Sequence, residues 1–168
     1  MRAAKVARRP LRRPAALVRR RCPRTLPTAV RMEKRWVLHV IPMFQPQIVT
    51  VDAGPAVTHA GDFSLVTASE PAEAGEVLSL LATGLGPTRP GVDPGQPFPS
   101  SPPATVNSPV EVTVNGKSAE VLGAIGSPAA VDGYQVNFRV PPDTEKGVAS
   151  IQVSAAWIAG TPVSIAIK

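Results

Sequence analysis

Between Tyr134 and Val140 the chain alternates strictly, with Tyr134, Val136, Phe138 and Val140 apolar and Gln135, Asn137 and Arg139 polar. A period of two sends successive side chains to opposite faces of an extended backbone, so this stretch predicts a strand with one buried face. Pro141 and Pro142 end it, because neither has an N–H to give to a ladder. The rhythm returns over 148–155, with Ala149, Ile151 and Val153 inward against Ser150, Gln152 and Ser154. Over 161–168 it places Val163, Ile165 and Ile167 inward. GEVLSLLATG (75–84) is apolar on both faces, and its short length and flanking glycines predict a buried strand rather than a helical turn. QIVTV (47–51) and DFSLVTA (62–68) are weaker strand candidates.

PVEVTVNGKSAEVLGAI (109–125) carries the clearest local signal. Asn115-Gly116 supplies the two positive-φ positions of a type I′ turn, whose twist matches that of paired strands. A two-residue loop sets Val114 opposite Lys117, Val112 opposite Ala119 and Val110 opposite Val121, all on one face. The other face then carries Glu111 opposite Glu120, a mildly unfavourable like-charge pair that reads as two solvated carboxylates. Residues 84–109 hold eight prolines and four glycines, and so many missing donors predict a long surface connection in turn and polyproline conformations. Arg89 and Phe98 are its only large side chains.

Short strands at this spacing imply an all-β domain over 46–168, an immunoglobulin-like β-sandwich of about seven short strands. Twenty prolines and thirteen glycines in 168 residues fit many short elements joined by turns. The net charge of +6 hides two opposite regions. Residues 1–35 hold thirteen Lys and Arg against one acid, Glu33, whereas the rest holds five bases against eleven acids. The basic character therefore belongs to a tail and not to the domain.

That tail, residues 1–45, clusters Arg8, Arg9, Arg12, Arg13, Arg19, Arg20 and Arg21 among Pro10, Pro14, Pro23 and Pro27. High charge with few large apolar groups predicts a disordered basic arm. It suits non-specific nucleic-acid contact through phosphates, or an anionic membrane surface, or no function at all. Neither PAALV nor WVLHVIPMF makes the unbroken apolar stretch of a secretory signal, and no run reaches the roughly 20 apolar residues of a membrane-spanning helix.

Chemistry is sparse. The single cysteine, Cys22, rules out an intrachain disulfide or a cysteine-built metal site. His39 and His59 do not stand at a metal-pair spacing, and His59, close to Asp62, reads as a loop residue with no serine in a nucleophile-elbow context. GLGPTRPG lacks the lysine and the following helix of a phosphate loop. Neither an enzyme nor a cofactor is expected.

ATGLGPT (82–88), PVEVTVNGKSAEVL (109–122) and YQVNFRVPP (134–142), in this order, resemble the Solibacter-type C-terminal domain, which is similar to the IPT/TIG group. The resemblance covers about residues 55–168. It implies an immunoglobulin-like module at the end of an extracellular or cell-surface bacterial protein, with no established activity and no catalytic residues. An arginine-rich tail stands where such proteins have a large upstream region, which suggests a fragment or a mis-started frame. The last hairpin reads AAWIAGTP in place of a small glycine-rich turn.

The expected role is a non-catalytic adhesion or spacer module that contacts a protein or a cell-surface polymer. The alternative is a carbohydrate-binding module in which Trp157, aided by Phe98, stacks on sugar rings. The arm has its own test, a DNA shift assay titrated with salt. Phosphate contact by the arginines requires the full chain to outbind residues 46–168 and to weaken steeply as salt rises; equal weak binding by both eliminates it.

Overall fold

The structure, a computed structural model, describes residues 45–168. All of the basic arm but Gln45, including its seven candidate arginines, falls outside the described residues. Among the described residues every regular element is a strand. Six are long: β5 (Val77–Thr83), β8 (Val110–Val114), β9 (Lys117–Gly126), β10 (Tyr134–Arg139), β11 (Gly147–Ala155) and β13 (Val163–Ile167). The short ones are β1 (Gln47–Ile48), β2 (Thr50–Val51), β3 (Gly54–Pro55), β4 (Val57–His59), β6 (Thr88–Arg89), β7 (Thr105–Val106) and β12 (Ile158–Ala159). Prolines and tight turns cut what reads as about seven strands into thirteen segments.

Eleven strands form one curled antiparallel sheet, and β2 and β3 pair separately. One ladder runs β4 and β1 on β5, then β10, then β9. The other runs β9, β8, β11, with β12 and β13 beyond. β9 belongs to both. It pairs with β8 as far as Ala119 and with β10 from Glu120 onward.

This division corrects the hairpin expectation. Val112↔Ala119 and Val114↔Lys117 pair as the Asn-Gly turn requires, and Asn115 and Gly116 take φ of 51° and 77°. Beyond Ala119 the partners separate, so Val110 faces Ala155 and Val121 faces Phe138. Glu111 therefore stands opposite Ser154, and Glu120 stands opposite Arg139, whose Nε lies 3.1 Å from its carboxylate. The expected like-charge pair does not form.

A bulge makes the exchange possible. The β9–β10 register slips between Asn137 and Phe138, leaving Leu122 unpaired and half exposed. On one side of it Ala119 and Val121 turn toward the core, and on the other Ala124 and Gly126 do. One extra residue reconciles two apolar phases that a regular strand would have set against each other.

The predicted alternation of β10 holds, with Tyr134, Val136 and Phe138 fully buried beside Ala82, Leu80 and Leu78 of β5. Ala149, Ile151 and Val153 of β11 and Ile165 and Ile167 of β13 complete the core from the other ladder. DFSLVTA is a turn followed by an irregular segment with an isolated bridge at Leu65, and the strand lies earlier, in β4. Phe63 and Asp62 sit in that turn.

The proline-rich stretch is also more than a surface connection. Leu85 and Ala104 are fully buried, Phe98 is 4% exposed, and β6 and β7 extend the sheet beside β9. Phe98 N donates to Ala130 O and Ala129 N donates to Phe98 O, pinning the loop across the end of the core. Its ring occupies the space that a side chain at Gly126 would need, since an added Cβ there would run into the ring.

Two neighbours in β10 test the facing assignment. Phe138→Ala should destabilise the domain by about 3–5 kcal/mol through lost burial and a cavity. Arg139→Ala, at an exposed ion pair, should cost under about 1 kcal/mol. Chemical denaturation of both variants reads the difference, and equal losses would reverse the assignment.

Candidate functional site

Five aromatic side chains lie among the described residues; Phe98, Tyr134 and Phe138 are buried, and Phe63 and Trp157 are exposed. Both exposed ones have positive φ, 61° at Phe63 and 66° at Trp157. Trp157 is 86% exposed, and Ile158 beside it is half exposed. The two residues that sequence reasoning grouped as ligand contacts thus part company. Phe98 packs inside, its ring tilted 55° to Tyr134 at a centroid distance of 5.1 Å.

Trp157 sits at the tip of the β11–β12 hairpin. Ala155↔Ile158 and Ser154↔Ala159 are paired, so Ala156 and Trp157 are the whole loop. Ala156 has φ 46°, giving this turn the same two positive values as the Asn115-Gly116 turn. A Cβ crowds the neighbouring carbonyl in this region, at a cost of about 1–2 kcal/mol per residue. Asn and Gly tolerate it; alanine and tryptophan do not favour it. Pairing holds the turn in place: Ala156 N donates to Pro109 O at 3.0 Å, and Gly160 N donates to Val153 O at 2.8 Å. Gln152 Nε2 adds a bond to Gly160 O at 2.8 Å, and Gln45 Nε2 one to Ala159 O at 3.2 Å. A bulky indole is therefore held out in water by a turn that its own backbone disfavours.

A second feature gathers polar groups around His59, which lies at the end of β4 and not in a loop. Its Nδ1 is 2.6 Å from Glu76 Oε1, and its Nε2 is 3.4 Å from Glu70 O. Both neighbours are acceptors, so only the imidazolium satisfies both by donation. Burial works against that charge, but the Glu76 hydrogen bond, the Glu70 carbonyl and the nearby Glu76 and Asp62 charges outweigh it, and the pKa is raised above 6.5. Asp62 accepts from Ser64 N at 3.0 Å and from Ser64 Oγ at 2.9 Å, which holds its carboxyl below the ordinary value. Ser64 is thus directed at Asp62, and His59 at Glu76, so the three do not line up for nucleophilic attack. No group of three or more His, Cys, Asp or Glu among the described residues is placed to hold a metal ion. Nothing in residue spacing announces the His59–Glu76 contact, which joins positions 17 apart.

The third feature is internal. Tyr134 Oη donates to Gly86 O at 2.6 Å, tying β10 to the turn before β6. The Asp132 carboxyl lies beside it, and burial raises its pKa against the pull of the Tyr134 hydroxyl. Asp132 Oδ1 has no hydrogen-bond partner among the described residues. Burial, with the neighbouring Asp132 charge, pushes the Tyr134 hydroxyl up to about 12.

Because the folded value exceeds the unfolded value of about 10, stability from Tyr134 should be complete below that pH. It should fall as pH rises through about 12. Tyr134 is the only tyrosine, so tyrosinate absorbance during alkaline titration reads it directly. Tyr134→Phe should cost about 1–2 kcal/mol near neutral pH by orphaning the Gly86 carbonyl. A midpoint near the unfolded value would contradict this account.

No helix among the described residues is long and apolar enough to cross a membrane. No protein-family model, curated protein or solved structure matches this chain.

Proposed function

We propose that the domain is a non-catalytic adhesion or spacer module of a bacterial surface or secreted protein and that it meets its partner through the Trp157 hairpin. One observation carries this: an 86% exposed indole held on a two-residue turn with positive φ at both positions. Strained backbone persists where its surroundings over-determine it, and such sites concentrate where a protein contacts something else. Large exposed aromatics at a rigid tip supply contact area at small entropic cost. The extracellular setting follows from the resemblance to the Solibacter-type C-terminal domain and the IPT/TIG group.

The second reading is carbohydrate binding, in which Trp157 stacks on a sugar ring. The same exposure favours it, without the help of Phe98, whose ring is inside the core. Toward the tip, the outer face of β8 and β11 carries Glu111, Thr113, Gln152 and Ser154, groups able to hydrogen-bond hydroxyls.

Replacing Ala156 by Asn together with Trp157 by Gly tests both. Relief of strain should raise stability by about 1–3 kcal/mol in thermal unfolding, since little apolar burial is lost. Retention on intact bacterial cells should fall to background, and competition by soluble polysaccharides separates a sugar partner from a protein one. Equal retention of variant and parent would remove the hairpin from the interface. A glycan array with no retention, and with Trp157→Ala matching the parent, would remove the carbohydrate reading.

A further inference from the structure

Residues Glu70–Glu76 cross from the end of β4 and the start of β5 to the far side of the core, where they meet β13. The crossing is tied at both ends. Ala72, fully buried, bridges Ile167 in parallel, with Ala72 N donating to Ala166 O at 3.0 Å and Lys168 N donating to Ala72 O at 2.8 Å. Lys168 Nζ lies 3.0 Å from Glu73 Oε1. At the other end Glu76 takes Glu73 N on Oε2 at 2.8 Å and the His59 ring on Oε1 at 2.6 Å. Glu70 offers its carbonyl to His59 Nε2 at 3.4 Å and to Thr67 N at 3.0 Å. His59 therefore grips the segment at two points six residues apart.

We propose that Glu70–Glu76 is a proton-latched strap: the protonated ring of His59 holds it closed across the edge of β13, and loss of that proton loosens it. A neutral imidazole has a single N–H to give. The bond to the Glu76 carboxylate is short and keeps it, so the lone pair on Nε2 turns toward the Glu70 carbonyl and that contact becomes repulsive. Once the strap slackens, Ala166 O and Lys168 N–H lose the partners that cover this edge.

The charged groups around the ring come from every neighbouring element. Glu70, Glu73 and Glu76 lie on the strap, Asp62 on the turn after β4, and Lys168 follows β13. The Glu76 and Asp62 charges favour the imidazolium; of the cations, Lys168 lines the same cleft and Arg139 of β10 donates from Nη1 to the strap at Gly75 O, 3.3 Å away. An open cleft of about 440 Å³, lined by His59, Asp62, Ser64 and Glu70 among others, gives the proton a route to water. The ring itself is only 15% exposed, so the change is felt in a partly desolvated place. A raised folded pKa makes this contribution complete below about 6.5 and lost as pH rises through the folded value. The strap is closed in mild acid and loosens toward alkaline pH.

Amide hydrogen exchange on the full chain, read by NMR alongside the ring titration of His59, tests the latch. Protection factors at Ala72 and Lys168, corrected for intrinsic exchange, should fall about five- to tenfold across the interval in which His59 titrates. Amides in β10 should stay level. In Glu76→Gln both the ring midpoint and the protection step should move together to lower pH. In His59→Gln the step should vanish, which also excludes any effect of His39. Flat protection across the His59 titration, or a step that survives unchanged in His59→Gln, would overturn the proposal. Should His59→Gln fail to fold, a ring midpoint that moves in Glu76→Gln without the protection step would overturn it equally.

Discussion

The ten residues of β9 serve two ladders, and the architecture rests on their doing so. Up to Ala119 the strand pairs with β8; from Glu120 it pairs with β10, and Thr105 of β7 joins at Ile125. Such a strand must present apolar side chains to one interior along its whole length although its partners change halfway. Strict alternation would turn half of them to water, because a shift of one residue exchanges the faces. The extra residue at Leu122 restores the phase, at the cost of one half-exposed leucine. Tyr134, Val136 and Phe138 then meet Gly126, Ala124 and Val121, and the core closes.

Closure of the ends follows from that core. Gly126 leaves a space that Phe98 fills, so a loop rich in proline is drawn down as a lid on the interior. Tyr134 reaches the same end through Gly86. At the outer strands of the two ladders, Leu65 and Val66 cover β4, and Ala72 covers β13. These irregular segments occupy backbone groups that would otherwise template another strand. Of the large apolar side chains left exposed among the described residues, Trp157 is the most exposed, ahead of Val148 and Phe63.

The two tight hairpins make a useful contrast. Asn115-Gly116 adopts positive φ at low cost, and its side chains do nothing beyond the turn except that Asn115 Oδ1 accepts a bond from Ser150 N. Ala156-Trp157 adopts the same conformation against its preference while carrying a large indole into solvent. A turn chosen for stability alone would resemble the first. His59 departs from bland packing in another way, its imidazole lying between two acceptors of the 70–76 segment.

Period-two patterning by itself determined that the body is all-β, which residues of β10, β11 and β13 face inward, and where the Asn-Gly turn falls, because each depends on neighbours a few positions apart. Only the tertiary structure decided the fate of Glu111 and Glu120, the burial of Phe98 and the grip of His59 on Glu76. Each of these depends on which distant segment arrives alongside, and nearby residues do not encode that arrival. The DFSLVTA stretch illustrates the limit: Leu65 and Val66 cover β4 without forming a regular strand, since the ladder position beside β5 is already taken by β4 itself. Trp157 lies between these cases. Its place near a hairpin tip is legible in AAWIAGTP, yet the left-handed backbone that holds it there is imposed by the pairing of β11 with β12 and β8, against the local preference of alanine and tryptophan.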